Sequence, residues 1–289
     1  MAGRPGLCPT WISCLPSGAR PGASTPGGGP SGRCWRASAS DAWPTSSRRR
    51  PRAWRPETRV PTNYVLAYKE SCRLLAAEKD PQAVARRAGC RFEPAGSYFE
   101  LPVLGRLYQV DYPSGAVTTG EALPEAPGTP PAPEGDGLLT VSILAVQYLA
   151  TARGLPLTGE WVAFRELPGG HIYNTPFTNR TIRPMVARFG KDPAALTDAV
   201  LRLGGRKEGF GHASGVVDVF PRIPVCLIVW EGDEEVPPSG QILFDRSAPA
   251  YLETEALVVV AGQAFLAARW AAGTPALESP PSPGTLEPE

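Results

Sequence analysis

Residues 225–245 read VCLIVWEGDEEVPPSGQILFD, and this stretch decides how the chain is expected to fold. An apolar run ends abruptly at Trp230, an acidic segment follows, and a second apolar run closes on Asp245. Short apolar runs on either side of a segment rich in Pro and Gly are typical of two strands joined by a turn. The stretch therefore predicts a buried strand, an acidic turn and a returning strand.

Upstream of this hairpin, helix and strand patterns are mixed. Asp80-Pro81 and Asp192-Pro193 each place an N-cap carboxylate before a first-turn proline, so each pair begins a helix, and Gly89 ends the first of these helices. Residues 90–117 alternate in a way that predicts two or three short antiparallel strands.

The remaining segments complete the predicted order of elements. A central buried helix is expected at 138–153, followed by a hairpin that consists of a strand at 161–167, a tight turn at 168–170 and a partner strand at 171–173. Two short helices separated by Pro184 are expected at 177–189, and a strand at 216–220. The last helix is expected at 254–271, where it buries Leu257, Phe265 and Leu266. This mixed order predicts an α+β fold: a single domain with an antiparallel sheet packed against several helices.

The two ends of the chain differ in composition from its middle. Residues 1–61 hold ten Arg, ten Pro and eight Gly, and residues 273–289 consist mainly of Pro, Ser, Glu, Gly and Thr. Such segments bury too little apolar surface to offset the entropy of ordering their backbone, so both are expected to be disordered. The basic arm is read either as a patch for nucleic acid or an acidic membrane, or as an over-extended gene start. The folded domain is expected at 62–272, with a flexible loop at 120–137.

Charge limits the partners of the folded domain. The whole chain carries +1, while residues 1–61 carry +8 (ten Arg minus two acids), which leaves −7 for the rest. An acidic domain repels phosphate backbones, so nucleic acid is not an expected partner. No membrane partner is expected either, because the apolar segment 138–152 is too short to span a bilayer. The domain is therefore predicted to be cytoplasmic, with reduced cysteines.

Most catalytic signatures are missing from the sequence, which contains no GxxxxGK[ST] loop, no GxSxG elbow and no HExxH. The acidic turn supplies candidate oxygen ligands for Mg²⁺ or Ca²⁺ if its carboxylates converge with the end of the returning strand. The alternative is a solvated turn that keeps an apolar strand pair from aggregating. The candidate metal ligands are Glu231, Asp233, Glu234 and Asp245.

A second block, residues 158–170 (TGEWVAFRELPGG), mixes aromatic, charged and glycine residues as a shaped site requires. We expect it to join the acidic turn in one site. Its candidate ligand-binding residues are the aromatic walls Trp161 and Trp230 and the polar contacts Arg165, Glu166, His171, Arg180 and Arg183. Structural alternatives stay open: Arg165 bridges the sheet to a helix carboxylate, and Arg180 and Arg183 pair with the acidic turn.

The sequences of both blocks, 158–170 and 225–245, resemble those of a prokaryotic family catalogued as domain of unknown function 3786. The resemblance covers about residues 64–270 and rests on LTGEWVAFRELPGG (157–170), Arg183-Pro184, Phe189-Gly190, residues 221–224, WEGDE (230–234) and LFDRSAPAY (243–251). The resemblance implies that the chain is a member of this family, but it implies no reaction, because the family has no assigned activity. Some relatives carry an N-terminal four-cysteine iron–sulfur module, but Cys8, Cys14 and Cys34 lack cluster spacing, so no cluster is carried over and the cofactors stay unknown.

These observations favour a domain that binds a small ligand or a protein partner without catalysis, and no residue receives a catalytic role. One alternative is a metal-assisted enzyme that uses the acidic turn. Another is a structural or interaction protein whose function lies on an exposed apolar surface.

Overall fold

The computed structural model describes residues 62–273. The arm predicted at 1–61 lies outside these residues, as does the tail predicted at 273–289 apart from Gly273, which ends the last helix. The described residues form seven α-helices: α1 (Thr62–Ala77), α2 (Pro81–Ala88), α3 (Asp136–Thr151), α4 (Gly170–Phe177), α5 (Arg183–Phe189), α6 (Pro193–Arg202) and α7 (Thr254–Gly273).

Nine strands form two sheets in which every pair is antiparallel. The first sheet has the order β1-β2-β3-β4 and the second has the order β5-β9-β8-β7-β6. The predicted α+β class is confirmed, with two sheets where the sequence indicated one. The strands are β1 (Arg91–Glu93), β2 (Tyr98–Val103), β3 (Arg106–Asp111), β4 (Val117–Ala122), β5 (Trp161–Ala163), β6 (Arg206–Lys207), β7 (Ala213–Phe220), β8 (Ile223–Trp230) and β9 (Ser239–Asp245).

The predicted hairpin is present as β8 and β9, which pair from Val225 opposite Phe244 to Trp230 opposite Ser239. Seven of the eight residues of β8 are buried. Both faces of this central strand are covered, which explains why its sequence is continuously apolar and does not alternate. The predicted helix starts are also confirmed: Asp80 and Asp192 each accept a hydrogen bond from the backbone three residues later, and Gly89 adopts the left-handed conformation after α2.

One apolar cluster joins both sheets to the helices. At the centre of α3, the ten residues 140–149 are all buried. Helix α7 has the length and apolarity of a membrane-spanning helix, but 61% of its most apolar window is buried inside the protein, as in the core helix of a globular domain. Its predicted core residues Leu257 and Phe265 are buried, whereas Leu266 is 50% exposed, so that part of the prediction was wrong.

The segment after β5 differs from the predicted hairpin. A 3₁₀ turn at Phe164–Glu166 follows the strand, and His171–Tyr173 belongs to α4 and not to a strand. Stacking of the Phe164 and Phe177 rings, with centroids 4.1 Å apart, stabilises this helical route. The prediction that Pro184 separates two short helices at 177–189 was wrong: a π-helical turn at Thr178–Ile182 runs from the end of α4 directly into α5, and Pro184 lies in the first turn of α5, where its missing N–H is tolerated.

The connection from β4 to α3 is shorter than the loop predicted at 120–137, because β4 runs to Ala122 and α3 begins at Asp136. The Arg106 guanidinium donates to the backbone oxygens of Gly120 and Pro130 at 2.9 and 2.8 Å. These bonds place the prolines of this connection against the first sheet, near the C-terminal half of α7.

Candidate functional site

Asp245 is a buried structural carboxylate and lies away from the acidic turn. Its Oδ1 accepts hydrogen bonds from the backbone and hydroxyl of Thr158 (3.1 and 2.9 Å) and of Ser247 (2.9 and 2.6 Å), and its Oδ2 accepts one from Gly159 N at 2.7 Å. Burial raises the pKa of Asp245, but the hydrogen bonds from Ser247 and Thr158 outweigh it, so the pKa is lowered overall.

A neighbouring ion pair reinforces the same junction. Arg246 donates to both carboxylate oxygens of Glu160 at 2.6 Å, and its backbone N–H donates to the Glu160 carbonyl. Both side chains are exposed, so the ion pair orients the two segments but contributes little to the stability of the fold. Asp245 and this pair together hold the TGE segment against the end of β9.

The acidic turn satisfies its own hydrogen bonds. Asp233 Oδ1 accepts from the backbone of Val236 at 2.7 Å and of Glu235 at 2.9 Å, and these bonds lower the pKa of Asp233. Glu231 and Glu234 are exposed. Asp245 lies at the far end of β9, about 20 Å away along the strand. Within residues 62–273, no three His, Cys, Asp or Glu side chains are grouped so that they could hold a metal ion.

The two predicted aromatic walls do not face each other. Trp161 lies opposite Asp245 and packs on a small apolar cluster of the second sheet that includes Cys226. Trp230 lies opposite Ser239 at the other end of β9 and is 37% exposed. The structure therefore places them at opposite ends of one strand and not around one cleft.

The predicted polar contacts lie at separate positions. Glu166 accepts a hydrogen bond from Ala163 N within its own turn, and His171 is exposed on α4. Arg180 is half-buried in the π-helical turn and Arg183 is exposed, and within the described chain neither forms an ion pair with the acidic turn. Arg165 lines a small polar cavity beside Gln241, where the two sequence blocks do meet.

A larger cavity, which we call the apolar groove, was not expected from the sequence. Its volume is about 720 Å³, and it lies between the first sheet, the prolines before α3, and the C-terminal half of α7. Its walls include Val103, Val141, Leu266 and Trp270. Leu266 and Trp270 lie four residues apart on one face of α7, and each is 50% exposed.

Tyr108 brings a polar group to this apolar groove. The residue is only 4% exposed, yet its hydroxyl makes no hydrogen bond with any other residue in the described range. Burial raises its pKa, so the hydroxyl stays protonated near neutral pH. Gln263 also lines the groove and makes no side-chain hydrogen bond within residues 62–273. Arg269 is a third lining residue without a hydrogen bond or ion pair in that range, so the groove combines an apolar wall with three available hydrogen-bonding groups.

One feature of the sequence could have indicated this groove. Leu266 and Trp270 place large apolar side chains on a face of the last helix that also carries Arg269 and Gln263, where a purely structural surface would be polar. Tyr108 carried no such signal, because an aromatic residue in a strand is an ordinary core residue.

Comparison with known proteins identifies a family but no individual similar protein. No curated protein and no solved structure matches the chain. A family model matches residues 80–266, which is more than half of the chain and includes both sequence blocks. The chain therefore belongs to the family described as Domain of unknown function (DUF3786).

Proposed function

We propose that this domain binds a small apolar molecule with a hydrogen-bonding head group in the apolar groove, and that it does so without catalysing a reaction. The observation that carries the proposal is Tyr108, a residue that is 4% exposed and lines an apolar groove, and whose hydroxyl has no hydrogen-bond partner among the described residues. A hydroxyl that has no protein partner and is accessible to solvent can bond to water or to the polar head group of a ligand that occupies the groove.

The size and surface of the groove support the same proposal. A volume of about 720 Å³ lies within the range of about 300–1,000 Å³ that is usual for small-molecule sites. Covering the exposed halves of Leu266 and Trp270 with a ligand removes apolar surface from water, which contributes about 25 cal/mol per Å². Shape and apolar contact would supply the affinity, and the tyrosine would fix the orientation.

Binding without catalysis is supported by the groove's ionisable lining residues. These are Arg106, Tyr108 and Arg269. None of the three is suited to act as a general base, because a guanidinium offers no acceptor atom and burial raises the pKa of Tyr108. Arg106 is also engaged with the backbone of the proline connection.

A cytoplasmic location is part of the proposal. Its support is that Cys72, Cys90 and Cys226 are all free thiols. Unpaired cysteines at wide spacing suit a reducing compartment.

Titration of the full-length protein with octan-1-ol tests the proposal. Binding of the alcohol to the native state should raise the Tm. Tyr108→Phe removes the hydroxyl and keeps the ring, so it should weaken binding by about three- to tenfold, the value of one hydrogen bond. Trp270→Ala removes a wall of the groove and should weaken binding by about tenfold or more.

Trp230→Ala is the matched control, because Trp230 is also a partly exposed tryptophan but lies outside the groove. It should leave the affinity for octan-1-ol unchanged. Equal losses in Trp230→Ala and Trp270→Ala, or no saturable binding to the wild type, would contradict the proposal.

A further inference from the structure

A second cavity, which we call the polar pocket, lies on a different part of the fold. It has a volume of about 250 Å³ and is formed by the 3₁₀ turn after β5, by α4, by the π-helical turn and by the start of β9. None of its lining residues is acidic. Four polar residues line it: Arg165, Asn174, Thr178 and Gln241.

These four side chains share a second property. None of them forms a hydrogen bond or an ion pair with another side chain or with the backbone in residues 62–273. Arg165 is exposed and the other three residues are partly buried, so all four side chains are accessible to a molecule in the cavity. A guanidinium, two amides and a hydroxyl that surround one cavity and leave one another unbonded are suited to a ligand.

The fold places the backbones of two of these residues, Arg165 and Thr178, beside each other. Arg165 directly follows Phe164, and Thr178 directly follows Phe177. The two phenylalanine rings are buried and stacked, with an interplanar angle of 6°, and both pack near Phe244 of β9. The stack fixes the two backbones side by side, so Arg165 and Thr178 lie at the same cavity without side-chain bonds to position them.

The π-helical turn widens the helix at this cavity. The Arg183 N–H donates to the Thr178 carbonyl five residues earlier, and Pro184 has no N–H to continue an ordinary α-helical pattern. π-helical turns inside α-helices occur frequently at functional sites. Here the turn includes Thr178 and Ile182, both of which line the polar pocket.

We infer that the polar pocket binds a small oxyanion, a carboxylate or phosphate group, on Arg165. The planar guanidinium donates two parallel hydrogen bonds to such a group. The amides and the hydroxyl bind the remaining oxygens or neighbouring hydroxyl groups of the same molecule. A cavity of about 250 Å³ has room for about eight water-sized atoms, which limits the ligand to a compact polar molecule.

Calorimetric titration of the full-length protein with L-malate and with inorganic phosphate, at equal ionic strength, tests this inference. At least one anion should bind saturably, and the stronger of the two identifies the favoured group, while neutral glycerol should not bind. Arg165→Gln should weaken anion binding by about tenfold or more, because a hydrogen bond to a charged group is lost. Thr178→Val should weaken it by about threefold.

Arg183→Gln is the control, since Arg183 is an exposed arginine close in sequence that does not line the pocket. It should bind the anion as the wild type does. The inference is overturned if neither anion binds, or if Arg183→Gln loses as much affinity as Arg165→Gln. Because Arg165→Gln leaves the apolar groove intact, its binding of octan-1-ol should not change, so failure of one site is distinguishable from failure of the other.

Discussion

Asp245 joins residues 157–170 to residues 243–251, two of the segments whose sequences carry the resemblance to the family. Its carboxylate accepts five hydrogen bonds from Thr158, Gly159 and Ser247, and the residue is 3% exposed. Such a carboxylate is stabilising only because every oxygen is satisfied. The residue that the sequence indicated as a metal ligand therefore positions the edge of the second sheet.

Asp245→Asn should destabilise the domain by about 2–3 kcal/mol, because the amide NH2 at the Oδ2 position faces the Gly159 N–H, which is itself a donor, and the remaining hydrogen bonds lose a charged acceptor. The change keeps the shape of the side chain, so the loss reports hydrogen bonding and charge and not packing. Urea unfolding of both proteins at pH 7 measures it. Asp233→Asn is the control, since that carboxylate lies in an exposed turn, and it should cost much less.

The loss of stability caused by Asp245→Asn should depend on pH in a defined direction. The pKa of Asp245 in the folded state lies below its ordinary value of 3.8, so the stabilisation is complete above that value and is lost as the pH falls through the folded pKa. The difference in unfolding free energy between wild type and Asp245→Asn should therefore narrow below about pH 4. A difference that stays constant down to pH 2 would show that the carboxylate's charge is not involved.

At the scale of elements, local sequence was a good guide where neighbouring residues decide the structure. The caps at Asp80 and Asp192 act on amides three residues away, and the β8–β9 hairpin joins neighbouring segments. The segment 164–173 was misjudged because a Pro-Gly-Gly sequence is as compatible with a helix start as with a hairpin turn. What decides it is the stacking of Phe164 on Phe177, which local patterns do not contain.

The sites depend even more on distant partners. Asp245 meets Thr158 across 87 residues of chain, so its role was invisible in either block alone. The apolar groove brings Tyr108 to Trp270, and each of these residues looks ordinary within its own element. Of the predicted site residues, Arg165 lines the small polar cavity, where it meets the start of β9 because the strand that precedes it, β5, pairs with β9.

Helix α6 lies so close to β7 that only glycine fits between them. A Cβ on Gly215 would lie 2.7 Å from Cγ1 of Val200. Gly215→Ala should therefore destabilise the domain by about 1–3 kcal/mol through overpacking, as thermal unfolding would show. In a Val200→Ala background the same change should cost clearly less, because the clashing methyl groups are gone. Gly209→Ala, where the added Cβ meets nothing within 4 Å, is the control and should be nearly neutral.

At the scale of the whole molecule, the two sheets share one core. A single cluster of buried residues runs from β2 through α3 and α7 to β8, and the backbone of Leu104 donates to Val219 across the junction of the sheets. The proline connection between β4 and α3 lies on the surface of this cluster and does not divide it. The apolar groove opens beside the first sheet and the polar pocket beside the second, so one scaffold supports both.

A shared core predicts that a cavity in either sheet weakens the whole domain. Leu101 in the first sheet and Leu227 in the second are both fully buried, so Leu101→Ala and Leu227→Ala should each cost about 2–5 kcal/mol. Each variant should still unfold in one transition, with the same dependence on urea as the wild type and with coincident curves from far-UV circular dichroism and tryptophan fluorescence. Two unfolding transitions in Leu101→Ala, with only one of them shifted relative to the wild type, would contradict this prediction. The two sheets would then be separate folding units. In that case a ligand in the apolar groove would stabilise only the unit that contains the first sheet.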